Sequence, residues 1–345
     1  MQLGDLQLLQ SLLAENRWSS VFILTDENTN QLCLSSLMMC IDFPINPEIL
    51  EVEPGENSKS VEISHQLWWA LNDLGADRKS LLINLGGGMI TDLGGFIAST
   101  FQRGIDFIQI PTTLLAMTDA AIGGKTGINL GQLKNQIGTF QNPVAVILDQ
   151  AWLETLPSRE IRSGFAEIIK HGIIADQTLL EACFNTDVSN QEEVFQLLEP
   201  SMKVKANIIE IDPFEQNERT FLNFGHTSGH ALESLTLQDE DPLLHGECVA
   251  WGMMIATLLS IDCGGLKAEK ANDLIRSIDS YYPDIQPEVE IEKLWEVMLR
   301  DKKNSKGKVN FVLLSDVSKP MNNVEISFEQ FNKACANLQA MREEL

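Results

Sequence analysis

Three of the five histidines in this 345-residue chain fall between positions 226 and 245. His226 and His230 are four residues apart, so on a helix their rings lie on one face. His245 follows behind Asp241-Pro242 and ahead of Gly246-Glu247, at the mouth of the apolar run 248–259. Imidazole is the commonest metal ligand near neutral pH. A His pair at helical spacing plus a distant third ligand is a usual way to build a zinc site with an open position. The same His-x-x-x-His spacing also arises as a surface or capping feature. Three features favour metal: the scarcity of histidine, the flanking Gly225 and Gly246, where backbone can approach a ligand closely, and the polar Arg219, Asn223 and Glu247 in a segment otherwise fit for burial. Spacing alone leaves both His226 and His230 open as ligands.

Other stretches carry chemistry of a different kind. Gly86-Gly87-Gly88 follows the apolar run 80–85 and precedes Asp92 and Gly94-Gly95, a strand, glycine turn and helix opening that aims backbone N–H groups at a phosphate. It is not the G-x-G-x-x-G fingerprint, and a tight strand–helix connection has the same composition. Gly123-Gly124-Lys125-Thr126-Gly127 resembles part of a P-loop, but Asp119 stands where the first P-loop glycine belongs, so that reading is rejected. Asp119 itself lies among apolar residues and needs a bonded partner or a capping role. Glu167 and Lys170 share a helix face at i, i+3; this reads as a surface ion pair or, given Phe165-Ala166 and Ile168-Ile169, a partly buried one. Residues 300–308 hold Arg300, Lys302, Lys303, Lys306 and Lys308, either a solvated loop or hairpin turn or a clamp on an anionic substrate.

The elements that must position these groups follow from periodicity. Short β-branched and aromatic runs at 21–25, 48–52, 80–85, 107–110 and 144–149 alternate with helical segments, the first helix-to-stop running from about Ser60 to Gly75. This argues an α/β first domain with a parallel sheet, over 1–158. From residue 159 onward the pattern is helical, with segments at 161–174, 177–184, 192–211, 221–235, 248–261, 267–280, 291–299 and 328–344. The net charge of −24 disfavours nucleic acid and anionic membrane as partners. The first 18 residues read as an amphipathic helix without a signal peptide's basic start, and no apolar run reaches the roughly 18 residues of a membrane span. A cytoplasmic protein is expected. The six scattered cysteines form no C-x-x-C and are expected as buried free thiols.

Taken together, the motifs resemble the 3-dehydroquinate synthase family, within the sugar-phosphate cyclases. The resemblance rests on Gly86-Gly-Gly with Asp92-Leu-Gly-Gly, Arg103-Gly104, Pro111-Thr-Thr-Leu-Leu-Ala116, Asp119, and Gly123-Gly-Lys-Thr-Gly127. It continues through Lys134-Asn135-x-Ile-Gly138, Ala166-Glu-Ile-Ile-Lys170, Asn223-x-Gly-His-Thr-x-Gly-His230 and His245-Gly-Glu-x-Val-Ala250, in order over roughly residues 20 to 315.

The resemblance implies a Rossmann-like α/β domain that binds NAD, a mostly helical domain that holds zinc or cobalt, and a homodimer. It implies metal ligation by Glu167, His226 and His245, with His230 reaching the substrate phosphate instead. NAD contacts would be Asp26, Asn28, Glu56, Lys59, Gly87, Gly88, Asp92, Thr112, Thr113, Lys134 and Thr155. The substrate phosphate would meet Lys125, Asn135, His230, one of Lys302 and Lys303, and Arg103 from the neighbouring subunit. Lys205 and Arg219 would hold a carboxylate; Asp119, Lys170 and Asn223 would meet hydroxyls. The implied reaction converts 3-deoxy-D-arabino-heptulosonate 7-phosphate to 3-dehydroquinate and phosphate, in the shikimate pathway, by transient oxidation, elimination, re-reduction and aldol closure. The substrate phosphate would serve as base for its own elimination. Departures from the family pattern are Ala120-Ala121-Ile122 for Ser-Ser-Val, His171 for Tyr and Phe224 for Leu. Another sugar-phosphate cyclase would not need the Lys205–Arg219 clamp, a metal-dependent polyol dehydrogenase would not need so many phosphate-seeking cations, and an NAD- or metal-binding regulator would show no turnover.

Overall fold

Strands arise where runs of Ile, Leu, Val and Phe are too short for a helix and are closed by turn-forming residues. The computed structural model describes residues 2–131, 133–237, 239–300 and 308–343. The chain divides into two units, Met1–Pro157 and Ser158–Leu345.

The first unit contains β1 (Gln2–Gly4), β2 (Val21–Asp26), β3 (Glu48–Val52), β4 (Leu81–Gly86), β5 (Asp106–Pro111), β6 (Lys125–Leu130), β7 (Leu133–Phe140) and β8 (Ala145–Ile147). Six of them form one sheet in the order β1-β8-β5-β4-β2-β3, every neighbouring pair parallel. All residues of β2 and β4 are buried, as a parallel sheet covered on both faces requires. The chain goes outward from β2 to β3 and then returns past β2 to β4. Strand order therefore reverses between β2 and β4, which are paired with Leu24 opposite Asn84. In open α/β sheets a ligand crevice forms at such a reversal, outside the carboxyl ends of the strands. Here those ends are Asp26 and the turn beginning at Gly86.

The strands β6 and β7 form a separate antiparallel ribbon. The lysine-bearing glycine stretch weighed above as a phosphate loop is the start of this ribbon. Gly127 lies opposite Gly138, and a Cβ on Gly138 would sit 2.3 Å from the Thr126 carbonyl oxygen, so the two strands close on glycine.

The second unit is built from helices Ser158–Ala175, Gln177–Phe184, Gln191–Gln196, Leu198–Ile211, His226–Thr236, His245–Cys263, Ala268–Tyr281, Ile291–Leu299 and Phe328–Glu343, with the antiparallel hairpin β9 (Val309–Asp316) and β10 (Lys319–Ile326). Helix His245–Cys263 is apolar enough and long enough to cross a bilayer, yet 83% of its apolar window is buried inside the protein. A helix apolar all round belongs in a core.

Three expectations are corrected. The single helix expected over 192–211 breaks at Leu197, because Pro200 has no N–H for the carbonyl of Gln196 and is tolerated only in the first turn of a new helix. The helix expected from 221 begins at His226: Gly225 has φ 80°, a left-handed conformation that ends the preceding 3-10 turn Glu218–Asn223. The strand β10, which pairs with β9 through a turn at Val317-Ser318, escaped notice because Pro320 and two asparagines hide its pattern, while the lysine-rich stretch 301–307 lies outside the described residues. Among the cysteines, Cys40 is exposed and Cys263 half-buried.

Candidate functional site

In the first unit the ends of β4 and β5 lie side by side, with Gly86 opposite Pro111. Thr112 N donates to Gly86 O at 3.0 Å, and a Cβ on Gly87 would meet Thr113 Cγ2 at 3.1 Å. Gly87, Gly88, Thr112 and Thr113 therefore share one rim. Gly87 caps helix Gly88–Thr100 without a side-chain hydrogen bond, so its first amides face outward as anion-binding donors. The helix sits close because Gly94 and Gly95 leave room beneath it for two buried amides. Asn84 donates to Gln109 at 3.0 Å, and Gln109 donates to the Thr91 carbonyl at 2.9 Å. A Cβ on Gly94 would lie 1.8 Å from Asn84 Oδ1.

Beside this rim lies a polar cluster. Lys59 is 2% exposed, and its Nζ donates to Asp92 Oδ2 at 2.8 Å and to Asn135 Oδ1 at 2.7 Å, with Glu56 Oε1 at 3.7 Å. Asn129 ties the loops together, donating to Glu56 and accepting from Asn135 N. Burial raises the Asp92 carboxyl above its usual range, while Lys59 pulls it down. Glu56, Lys59, Asp92 and Asn135, assigned by resemblance to two different ligands, are thus in one network.

Other first-unit residues are placed as follows. Asp26 ends β2 and caps the short turn 27–29, accepting from Thr29 N at 2.8 Å; Asn28 is exposed in that turn. Asp119 lies half-buried on the turn 116–120 after β5, close enough to raise Asp92 electrostatically. Lys125 opens β6, Lys134 lies on β7, and Thr155 ends a 3-10 turn where its hydroxyl donates to Trp152 O. Arg103 is exposed beyond the far end of helix Gly88–Thr100, with φ 72°. The helix's 13 residues put it about 20 Å from the glycine turn.

In the second unit three helices bring a carboxylate and imidazoles together. Glu167 is fully buried in helix Ser158–Ala175, with Lys170 Nζ against its Oε2. Its Oε1 lies 3.4 Å from His226 Nε2 and 3.5 Å from His245 Nε2. His226 Nδ1 is 3.2 Å from Phe224 O, and His245 Nδ1 is 3.2 Å from Glu233 Oε2. His230 completes the group, its ring centroid 5.0 Å from that of His226 and 5.6 Å from that of His245.

Glycines set this approach. A Cβ on Gly252 would lie 2.0 Å from Gly225 O, and one on Gly246 would lie 1.8 Å from Ser163 O. Arg159 fixes the backbone under His245: Nε and Nη2 each donate to the Glu247 carboxylate at 2.8 Å, Nη1 to Asp241 at 2.6 Å and Nη2 to Pro242 O at 2.9 Å.

A buried carboxylate with one oxygen facing two Nε2 atoms suits a divalent cation with an open position. Burial would raise Glu167, but Lys170 and His226 outweigh it and hold the carboxyl well below its usual range. Burial and Lys170 push His226 down. Burial opposes the charge on His245 too, yet hydrogen bonds to Glu167 and Glu233 raise it to about 10.

A cavity of about 240 Å³ opens beside the imidazoles, lined by Asn223, His226, His230, Asn310 and Asn322 among others. Asn223 Nδ2 donates to Glu215 at 2.9 Å, and Arg219 Nη1 donates to Pro213 O at 2.6 Å. Lys205 is buried on helix Leu198–Ile211. His171 is buried and bonded to Ser201 Oγ at 2.8 Å, which joins that helix to Ser158–Ala175. Lys302 and Lys303 lie outside the described residues. Sequence reasoning missed Arg159 and Glu233. Glu233 carried a signal, three residues after His230 and seven after His226 on one helix face.

The fold is shared with synthases whose structures hold cofactors. A 2-deoxy-scyllo-inosose synthase complexed with carbaglucose-6-phosphate, NAD+ and Co2+ matches with a TM-score of 0.86 at 21% identity, covering 99% of this chain and 96% of that one. The 2-epi-5-epi-valiolone synthase of Streptomyces hygroscopicus, with NAD+ and Zn2+ bound, matches with a TM-score of 0.85 at 23% identity, covering 98% and 96%. Sequence narrows the class. Models of the N-terminal and C-terminal parts of 3-dehydroquinate synthase match residues 49–163 and 164–304. The 3-dehydroquinate synthase of Parabacteroides distasonis is 43% identical over 325 residues, 93% of this chain and 92% of that protein. The chain belongs to the 3-dehydroquinate synthase family.

Proposed function

We propose that the protein is an NAD- and divalent-metal-dependent carbon–oxygen lyase. It converts 3-deoxy-D-arabino-heptulosonate 7-phosphate to 3-dehydroquinate with release of phosphate. The observation that carries the reading is the buried Glu167, whose Oε1 faces Nε2 of both His226 and His245. These three residues would hold zinc or cobalt. Bound NAD would supply a hydride acceptor and donor within one turnover, and the bound cation Lewis acidity.

The chain's own residues do the rest. The glycine turn, Thr112 and Thr113 offer amides and hydroxyls to the NAD pyrophosphate. Asp26 and Asn28, at the end of β2, suit the adenosine half across the strand reversal. Glu56, Lys59, Asp92, Lys134 and Thr155 complete the cofactor contacts. For the substrate phosphate the reading assigns Lys125, Asn135, His230 and one of Lys302 and Lys303. Lys205 and Arg219 pair with the carboxylate; a buried Lys and Arg are stabilised by a bound anion. Asp119, Lys170 and Asn223 orient the hydroxyls. The phosphate takes the C6 proton as it leaves, so no side-chain base is required.

The protein works in this reading as a cytoplasmic homodimer. Arg103 lies at the opposite end of helix Gly88–Thr100 from the glycine turn, so it is available to a second copy rather than to its own rim. Mixing inactive Arg103→Ala with inactive His245→Ala subunits is expected to restore activity in heterodimers; no recovery would remove Arg103 from a shared site.

The activity itself is tested by phosphate release from the heptulosonate phosphate with NAD and zinc, before and after chelator, while absorbance follows NADH. Metal-dependent phosphate release without net NADH is expected, since the hydride is returned. Accumulating NADH would identify a polyol dehydrogenase instead. Release only from a sugar phosphate lacking a carboxylate would identify another cyclase.

A further inference from the structure

The assignments above give no role to Glu233. It lies on helix His226–Thr236, on the face that carries the rings of His226 and His230. Its Oε2 is 3.2 Å from His245 Nδ1, and its side chain is 15% exposed. We propose that Glu233 is a positioning residue that accepts the Nδ1–H of His245 and thereby fixes Nε2 as the metal-ligating atom. The inference rests on the metal reading given above.

Proximity alone does not select the ligands. His226, His230 and His245 each offer a nitrogen, and the three lie within 4.8 Å of one another. For His226 and His245 the partner of the other ring nitrogen sets the aim. A ring whose Nδ1–H is held presents Nε2 along a fixed line, in the tautomer that ligates a cation. His226 is held by the Phe224 carbonyl and His245 by the Glu233 carboxylate, and both then aim Nε2 at Glu167 Oε1. A carboxylate is the stronger acceptor and makes the ring the more basic ligand.

The backbone of His245 does not depend on Glu233. Arg159 clamps Glu247, Asp241 and Pro242, and Gly246 N donates to Ser163 Oγ at 3.1 Å. Replacing Glu233 should therefore release the ring and leave the loop in place.

The test is a cobalt(II) titration of the dialysed full-length chain, read in the visible absorbance of the bound ion and by competition with a chelator. Glu233→Gln and Glu233→Ala are compared with wild type, and NAD affinity is measured in parallel. Glu233→Gln keeps the shape and an acceptor but loses the charge. It is expected to weaken cobalt binding about tenfold, and Glu233→Ala up to about a hundredfold, each with an altered cobalt spectrum and unchanged NAD affinity. Glu233→Gln binding cobalt with wild-type affinity and spectrum would overturn the proposal, whatever Glu233→Ala does. A wild-type chain that binds no cobalt would overturn the metal reading itself, a result the variants cannot imitate.

Discussion

The rim of the first unit and the imidazole cluster of the second handle charge by different means. The rim is made of backbone: strand ends at an order reversal, a glycine turn and the opening amides of helix Gly88–Thr100. The cluster is made of side chains delivered by three helices, Ser158–Ala175, His226–Thr236 and His245–Cys263, and held by second partners such as Phe224 O and Glu233. A backbone site tolerates changes of side chain but not of packing. A side-chain site fails when one atom is exchanged. Glu167→Gln breaks the comparison most severely: an amide in place of the buried carboxylate should abolish tight metal binding and cut turnover by several orders of magnitude. NAD affinity should stay within about twofold, measured by protein fluorescence against metal content. Loss of NAD binding as well would mean that the two sites are not separable in this way.

Glycine substitutions sharpen the contrast next. A Cβ at position 246 meets the Ser163 carbonyl, whereas one at position 94 meets the end of the Asn84 side chain. Backbone cannot step aside as a side chain can. Gly246→Ala is expected to cost about 3 kcal/mol and Gly94→Ala about 1–2 kcal/mol in denaturant unfolding. The first should also weaken metal binding, the second NAD binding. Equal costs would show that Asn84, bonded to Gln109, is as immovable as backbone.

The parallel sheet and its rim were legible because continuous apolar strands and a glycine turn are local patterns. The helical identity of the second unit was legible for the same reason. Positions of breaks were not: Gly225 and Pro200 act through one backbone angle or one missing N–H, which periodicity averages away. The ribbon of β6 and β7 was hidden by glycines at its closest approach, where strand propensity is low. In the cluster, His-x-x-x-His marked helix His226–Thr236 and left His230 equal to His226. Glu167 stood out only through family resemblance, because its burial and its distance from His245 are tertiary facts. Arg159 was hidden because its partners Asp241, Pro242 and Glu247 lie 82 to 88 residues away in sequence.

Lys59 tests whether the backbone rim also relies on a charge. Its ammonium is buried and serves Asp92 and Asn135 together. Lys59→Met removes one partner of a shielded pair and leaves Asp92 to water, to which its side chain is still 21% exposed. The cost should be about 2 kcal/mol, below that of breaking a fully buried pair, with weaker NAD binding. An unchanged midpoint would show that the cluster exists for the ligand and contributes nothing to the fold.

A final difference between the two regions concerns pH in the metal-free chain. Glu167 and Glu233 keep the His245 proton on up to about 10, against the pull of burial, where an unfolded histidine loses it near 6.5. A folded value above the unfolded one means that the folded state binds the proton more tightly. The stabilisation is therefore complete below pH 6.5 and is lost as pH rises towards 10. Metal-free wild type should lose stability over that window that metal-free His245→Ala does not lose, in unfolding curves taken at each pH. Metal loading should remove the slope, since a bound cation requires a deprotonated Nε2 and would take that proton's place facing Glu167, with Nδ1–H still held by Glu233. The first unit's raised carboxyl, Asp92, acts on the acid side instead: its contribution is complete below the ordinary carboxyl value of 3.8 and is lost as pH rises past its folded value. A slope between pH 6.5 and 10 that survived in His245→Ala would assign it to groups outside the cluster, and the cluster would then be a metal site with no proton of its own to exchange.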